Sequence, residues 1–302
     1  MQIIETIPVE IPNKQAFGKE LYQTLKETKL LPPLPETAQE LLKLRNNPDA
    51  NQEQLTCLIE KDPSLTAFIM KYAQMAVYGY GDRITSVHSA VSLVLGFNTA
   101  INISFGIASS GCLKVPNQGP LGRVCIWNQA LECAALCREL SNTMTKKQLI
   151  DPGLAYLSGL FHNFGYLLFA HLHPVQFNYL NDLVSRHPEE DVRTLEIHAI
   201  GITHDTIGMY LIKAWNLPEE IAVAVAEHHF PDYSGEHAPY VQLVATASRL
   251  LDNKGMTDAC DYLETSLLLE NLGISKENAE VSLKKIQGCK GEFQKLSQEL
   301  AA

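Results

Sequence analysis

The run Ser158-Gly159-Leu160-Phe161-His162-Asn163-Phe164-Gly165 sets a histidine directly before an amide. With aspartate at position 163, this pair would be the centre of a metal-dependent phosphohydrolase. An aspartate can bridge two cations and orient a hydroxide, whereas asparagine offers one neutral carbonyl oxygen. At an effective dielectric of about 20, unit charges about 4 Å apart attract by roughly 4 kcal/mol. Losing the carboxylate therefore removes much of the hold on a divalent ion. Three more histidines carry possible ligand chemistry: His204 after Thr203, and the adjacent His228 and His229 behind Glu227. Imidazoles suit ions such as zinc or iron, while harder cations want anionic oxygens. Neighbours on a helix point about 100° apart, so His228 and His229 are not expected to face one ion from the same direction.

Each of these residues has a plainer role. His162 reads as an interior histidine bonded to a carbonyl, and His204 as a cap or packing residue near a helix start. His228 and His229 fit a helix C-terminus, where imidazolium charge is favourable. His171 and His173, around a turn before Pro174, read as solvated loop residues; Asp205 reads as surface, and Trp127 and Trp215 as core anchors. No Gly-x-Ser-x-Gly, phosphate loop or dinucleotide fingerprint occurs, and Ser109-Ser110-Gly111-Cys112 has connector composition.

Helical periodicity dominates the elements that must position these side chains. Asp62-Pro63 supplies a cap and a preset φ, followed by the stripe Leu65, Phe68, Ile69, Tyr72 and Ala73. Pro35-Glu36 opens a helix ending near Asn46, and Leu55, Leu58 and Ile59 mark another. Ser86 can cap Val87 to Leu95, with Gly96 as terminator. A turn-rich connector, Pro116-Asn117-Gln118-Gly119-Pro120, places a lobe boundary near residue 115. Helices are then expected from Trp127 to about Asn142, from Asp151-Pro152, over Phe177–Val184 and from Pro188 to about Ala199. Others should cover His204–Trp215, the Pro218 segment to Glu227, and the buried Tyr240–Leu251, with two peripheral helices beyond 252. Gln2 to Pro12 is the one segment with strand character.

Composition narrows the function classes. The 302 residues are 46% hydrophobic, with 34 acidic against 24 basic residues and a net charge of -10. Basic runs do not exceed Lys146-Lys147 and Lys284-Lys285, so nucleic acid is not an expected partner. Seven scattered cysteines without Cys-x-x-Cys point to reduced core thiols. Cys133 and Cys137 share a helical face, a weak zinc signal by themselves. No signal peptide and no uninterrupted apolar stretch of membrane-spanning length is evident, which points to a cytoplasmic chain.

The order Leu31-Pro32-Pro33-Leu34-Pro35, Asn47-Pro48-Asp49-Ala50, Lys61-Asp62-Pro63-Ser64-Leu65-Thr66, Tyr78-Gly79 and Ile84-Thr85-Ser86-Val87-His88-Ser89-Ala90-Val91 closely resembles the HDOD domain of bacterial signalling proteins. That domain is an all-helical relative of the HD superfamily. Trp127, the Gly159–Gly165 segment, Gly201-Ile202-Thr203-His204, Trp215-Asn216-Leu217-Pro218 and His228-His229 extend the resemblance over about residues 22 to 252. In catalytic HD enzymes a His follows the Trp, then comes His-Asp, then a distal Asp. Here those positions read Gln129, His162-Asn163 and Ser248, with Asp252 as a substitute for the last. Three of four ligand positions have thus lost their ligand group. The resemblance also implies a metal role for extra histidines at the positions of His204, His228 and His229 in related phosphodiesterases.

These readings converge on an all-α protein of two helical lobes with a degenerate metal site. Its divisions are an extension (1–21), an N-terminal lobe (22–114), an HD-like lobe (115–252) and peripheral helices (253–302). The expected function is non-enzymatic and regulatory, with no cofactor, through a vestigial pocket or surface that meets a small ligand or a signalling partner. The resemblance suggests histidine kinases, response regulators or cyclic-dinucleotide enzymes as partners. No fused receiver, GGDEF or EAL segment is seen, so output is expected in trans. The alternative is a phosphohydrolase acting on nucleotides or cyclic dinucleotides, with Zn, Fe or Mn held by His162, His204, His228 and His229.

Overall fold

The computed structural model describes residues 14–27, 31–145, 150–251 and 262–301. Helices α1 (Lys14–Lys26), α2 (Glu36–Arg45), α3 (Gln52–Glu60), α4 (Pro63–Gln74), the single turn α5 (Val87–Ser89) and α6 (Gly96–Ser110) come first. Then follow α7 (Arg123–Thr143), α8 (Pro152–Phe161), α9 (Phe164–Leu172), α10 (Pro174–Arg186), α11 (Val192–Ile200), α12 (His204–Ala214), α13 (Glu219–Glu227) and α14 (Ala238–Leu251). The series ends with α15 (Tyr262–Leu272), α16 (Lys276–Gln287) and α17 (Lys290–Ala301). The described residues contain no strand. The strand expected over Gln2–Pro12 lies outside them, as do Asp252 and Cys260.

Local side-chain caps account for several helix starts. Asp62 and Asp151 each accept two backbone N–H bonds ahead of a proline at the first helical position. Asn51 and Gln54 bond reciprocally at the head of α3, satisfying two donors that the first turn leaves free. The stripe Leu65, Phe68, Ile69, Tyr72 and Ala73 is buried as its spacing requires. Two expectations shift. Gly96, at φ +73°, breaks the chain after a widened π-helical stretch (Ala90–Leu95), but helix α6 resumes at once instead of ending there. The helix expected from Pro188 begins at Val192, because Asp191 supplies the capping carboxylate to the Thr194 N–H. The short helix α9 runs through His171, which was expected to lie in a solvated loop.

Two helical clusters form the body. Helices α2 to α6 pack among themselves, and α6 meets α8 of the second cluster, α7 to α14. Trp215 Nε1 donates to Pro32 O at 3.0 Å, a direct bond between the two. Helix α1 precedes the first cluster in sequence yet packs on α11 and α12. By length and composition alone, the 24-residue run Val87–Ser110 is apolar enough to cross a membrane. Inside the fold 67% of its most apolar window is buried, which makes it a core helix; Ser89, Ser92, Gly96, Asn98 and Asn102 hide its hydropathy from inspection. The tail holds three described helices where two were expected. The last is docked: α17 packs on α7 and α4, buries Phe293 and Leu296, and accepts the Ala76 N–H through Glu292.

Candidate functional site

Four helix ends and one helix face converge in the second cluster. Helix α7 presents Gln129 and, one turn on, Cys133. His162 terminates α8, and Asn163 precedes α9. His204 opens α12, while His228 and His229 follow the last residue of α13. Two glycines permit this convergence. A Cβ on Gly159 would lie 2.9 Å from the Ala134 backbone, so glycine lets α8 close on α7. A Cβ on Gly165 would lie 1.9 Å from His204 O, so α9 and α12 touch backbone to backbone there. Larger residues would hold the histidines apart.

His162 is 2% exposed, and its Nδ1–H donates to Gly159 O at 2.7 Å, the interior role the sequence suggested. His228 caps α13, and its Nδ1–H donates to Val225 O at 2.9 Å. His204 is held by a residue the sequence reading missed. Glu196, 0% exposed on α11, accepts the His204 ring Nδ1–H at 2.8 Å and the backbone N–H at 3.1 Å. Tyr166 stacks on the same ring, with centroids 4.3 Å apart. In each ring the Nδ1–H is committed, so Nε2 is the atom left for other partners.

These ring edges bond to one another. His204 Nε2 and His229 Nε2 lie 3.2 Å apart, and His228 has one ring nitrogen within 4.8 Å of both neighbours. The His162 and His228 rings stand edge to face at 5.2 Å. The expectation that His228 and His229 must diverge is therefore corrected. His228 is the capping residue and His229 lies beyond the helix, so the 100° rule of a helix interior does not govern their rings, which are 4.1 Å apart.

Burial opposes charge on His204, but Glu196 and then Asp205 outweigh it and raise the ring's pKa. His228 is driven the other way, well below its usual value, by burial and by the rings of His229, His162 and His204. Asp205 is not a surface residue. It is 2% exposed, accepts from Arg193 Nε at 2.8 Å and bonds the hydroxyls of Thr203 and Thr206. Burial works against its charge, yet His204, Thr203 and Arg193 together hold its pKa below the ordinary value.

Gln129 and Asn163 are also together: Asn163 Nδ2 donates to Gln129 Oε1 at 3.2 Å, with both side chains buried. Ser248 stands half-buried on α14, and no hydrogen bond joins it to the histidines among the described residues. Trp127 and Trp215 are core anchors, edge-on to Phe164 and Phe161. His171 and His173 are corrected from solvated loop to packed helix end. His171 accepts the Lys114 N–H, and His173 meets Phe17 and Phe169.

The metal that the resemblance implies needs a carboxylate-rich site, and Gln129, Asn163 and Ser248 do not provide one. The three-histidine group fits a borderline ion better, since imidazole suits zinc or iron and a buried carboxylate behind a ligating histidine is a common support. Glu196 had a readable signal. It sits on the buried stripe Val192, Leu195, Ala199 and Ile200, where an unpaired acid would be costly.

Comparison with known proteins agrees with this architecture. The HDOD domain model matches residues 31–231. A Marinobacter aquaeolei VT8 protein assigned to signal transduction superposes with TM-score 0.78 at 31% identity, over 97% of this chain and 68% of that one. An HDOD domain protein of unknown function from Geobacter sulfurreducens gives TM-score 0.69 at 20% identity, over 95% and 98% of the two chains, a likeness of fold. An uncharacterized protein of Treponema pallidum (strain Nichols) is 26% identical over 230 residues, which is 74% of this chain but 43% of that relative. The chain thus spans less than half the length of this curated relative.

Proposed function

The chain belongs to the HDOD-domain family, and we propose that it acts in signal transduction by meeting a signalling protein or small ligand, its former catalytic pocket now serving as a buried brace. Family membership and the incomplete ligand cluster support a regulatory, largely non-catalytic protein. The observation that carries the reading is the bond between Asn163 and Gln129. The two positions where catalytic relatives are expected to carry metal ligands bond to each other through the Asn163 amide N–H, while the buried Asn163 Oδ1 has no partner among the described residues. Activating water with a hard cation requires charged oxygen ligands and an open coordination position. Here the surrounding side chains, Gln129, His162, Asn163, His204 and His228, are all buried, which leaves a nucleotide-sized substrate no approach.

A surface-mediated role needs only shape and hydrogen bonding, and a fold inherited from enzymes can supply both. A small ligand could use an open concavity of about 640 Å³ whose wall includes Arg193 and Thr203, both bonded to Asp205. The partner classes we favour are histidine kinases, response regulators and cyclic-dinucleotide enzymes, in the cytoplasm. We retain residues 22–114 and 115–252 as the working lobes. The test supplies purified protein with Mn²⁺, Zn²⁺ or Fe²⁺ and offers a generic phosphodiester and cyclic dinucleotides, alongside binding assays with purified partners from the three classes. Intact substrates with saturable partner binding are expected. Cleavage that disappears in His162→Ala would overturn the regulatory reading.

One observation favours a second reading, a metal-dependent phosphohydrolase. The ring nitrogens of His204, His228 and His229 already converge, with Glu196 behind the first. That reading requires stoichiometric Zn, Fe or Mn in protein purified without chelator, and turnover lost in His204→Ala.

A further inference from the structure

The concavity walled by Asp191, Arg193, Ile197 and Thr203 has a volume of about 640 Å³, a size usual for small-molecule sites. Arg193 is three-quarters buried there and is held from two sides. Its Nε–H donates to Asp205 Oδ2 at 2.8 Å, and its guanidinium carbon lies 4.4 Å from the centroid of the Phe230 ring. Asp205 is itself fixed by the hydroxyls of Thr203 and Thr206. Neither Nη1 nor Nη2 of Arg193 makes a hydrogen bond among the described residues. The rest of the planar fork is thus set in place before any ligand arrives. Asp191 stands on the same wall. Its Oδ2 takes the Thr194 N–H at 2.7 Å and the Thr194 hydroxyl at 2.8 Å, while its Oδ1 makes no hydrogen bond among the described residues. Ile197, one turn from Arg193 on α11 and 55% exposed, gives the concavity an apolar side.

A plain anion would suit the Arg193 fork but meet the carboxylates of Asp191 and Asp205, and a plain cation would meet Arg193 itself. A small molecule bearing both charges answers both groups. We infer that this concavity binds a free α-amino acid, with its carboxylate on the Nη fork of Arg193, its ammonium on Asp191 Oδ1 and its side chain against Ile197. A planar guanidinium matches a carboxylate through two parallel bonds, and each bond at either end is charge-assisted. The inference rests on the small-ligand branch of the regulatory reading and names the ligand class. Because the bond from Arg193 to Asp205 joins α11 to α12, an occupant here loads the helix start that carries His204.

The test titrates the full chain by calorimetry against each common L-amino acid, with a chelator present to keep metal off the histidines. The best binder is then compared with the same molecule lacking its ammonium and the same molecule lacking its carboxylate. Expected is saturation at one equivalent, with each one-charge analogue weaker by about tenfold or more. Asp191→Asn keeps an oxygen that can cap α11 and removes only the charge, so it should fold as wild type and bind about tenfold or more weakly. Arg193→Lys keeps a charge for Asp205 but loses the planar fork, and should also lose affinity. If the lysine variant fails to fold, Asp191→Asn decides alone. The proposal is overturned if no amino acid binds, if the analogue bearing only the carboxylate binds equally well, or if Asp191→Asn retains wild-type affinity. Saturable binding of a signalling partner would stand in each of those cases, so the regulatory reading and this inference fail separately.

Discussion

Glu196 holds His204 at two points: one carboxylate oxygen takes the ring Nδ1–H and the other takes the backbone N–H. The second bond is a helix cap supplied from another helix, since the Thr203 hydroxyl makes no such bond to the first turn of α12. A fully buried carboxylate thus fixes both a ring orientation and the start of the helix that carries it.

Glu196→Ala should therefore be costly. It leaves a buried imidazole and a helix N–H without their partner, a class of change that removes about 3–5 kcal/mol. Glu196→Gln, which keeps an acceptor, should lose less. Urea unfolding of both variants measures the difference; a loss below about 1 kcal/mol in the alanine variant would deny Glu196 this role.

Acid should weaken the metal-free fold through His228. Its pKa is depressed on folding, so below about pH 6.5 the unfolded chain takes up a proton there that the folded chain refuses. Stability then falls as pH drops, by up to about 1.4 kcal/mol per pH unit for one proton. His204 has the opposite sign. Its raised pKa gives a contribution complete below about pH 6.5 and lost as pH rises through the folded value. In His228→Gln the acid slope should flatten, and in His204→Gln the alkaline loss should disappear. Denaturant midpoints across about pH 5 to 8 distinguish the two.

Restoring ligand groups should restore a hard-cation site. Gln129→His with Asn163→Asp replaces the 3.2 Å amide pair by an imidazole and a carboxylate. Without metal the double variant should melt below wild type, because the new carboxylate is buried. Mn²⁺ should raise its melting temperature, with no corresponding rise in wild type. Equal Mn²⁺ responses in both proteins would contradict the degenerate-site account.

Two glycine substitutions should move stability in opposite directions. Gly165→Ala drives a methyl to 1.9 Å from His204 O and must separate α9 from α12, a loss of about 1–3 kcal/mol or more. Gly291→Ala meets nothing within 4 Å on α17 and should gain about 0.5–1 kcal/mol from reduced unfolded-state freedom. Thermal melts of the pair check the signs; destabilisation of both would indicate that α17 is not helical at Gly291.

The sequence determined the helices whose caps and stripes are local. Asp62-Pro63 and Asp151-Pro152 start α4 and α8 through side chains two or three residues from the N–H groups they bond. It also determined that Gln129 and Asn163 are uncharged amides, because an amide carries no charge wherever the residue sits. Tertiary structure decided the rest. Glu196 and Asp205 became buried partners, and His228 and His229 turned toward His204. These contacts join different helices: Glu196 reaches His204 across 8 residues of chain, Arg193 reaches Asp205 across 12, and His229 meets His204 across 25. Residue spacing fixes directions within one helix, whereas the distance between two helices depends on how their surfaces pack.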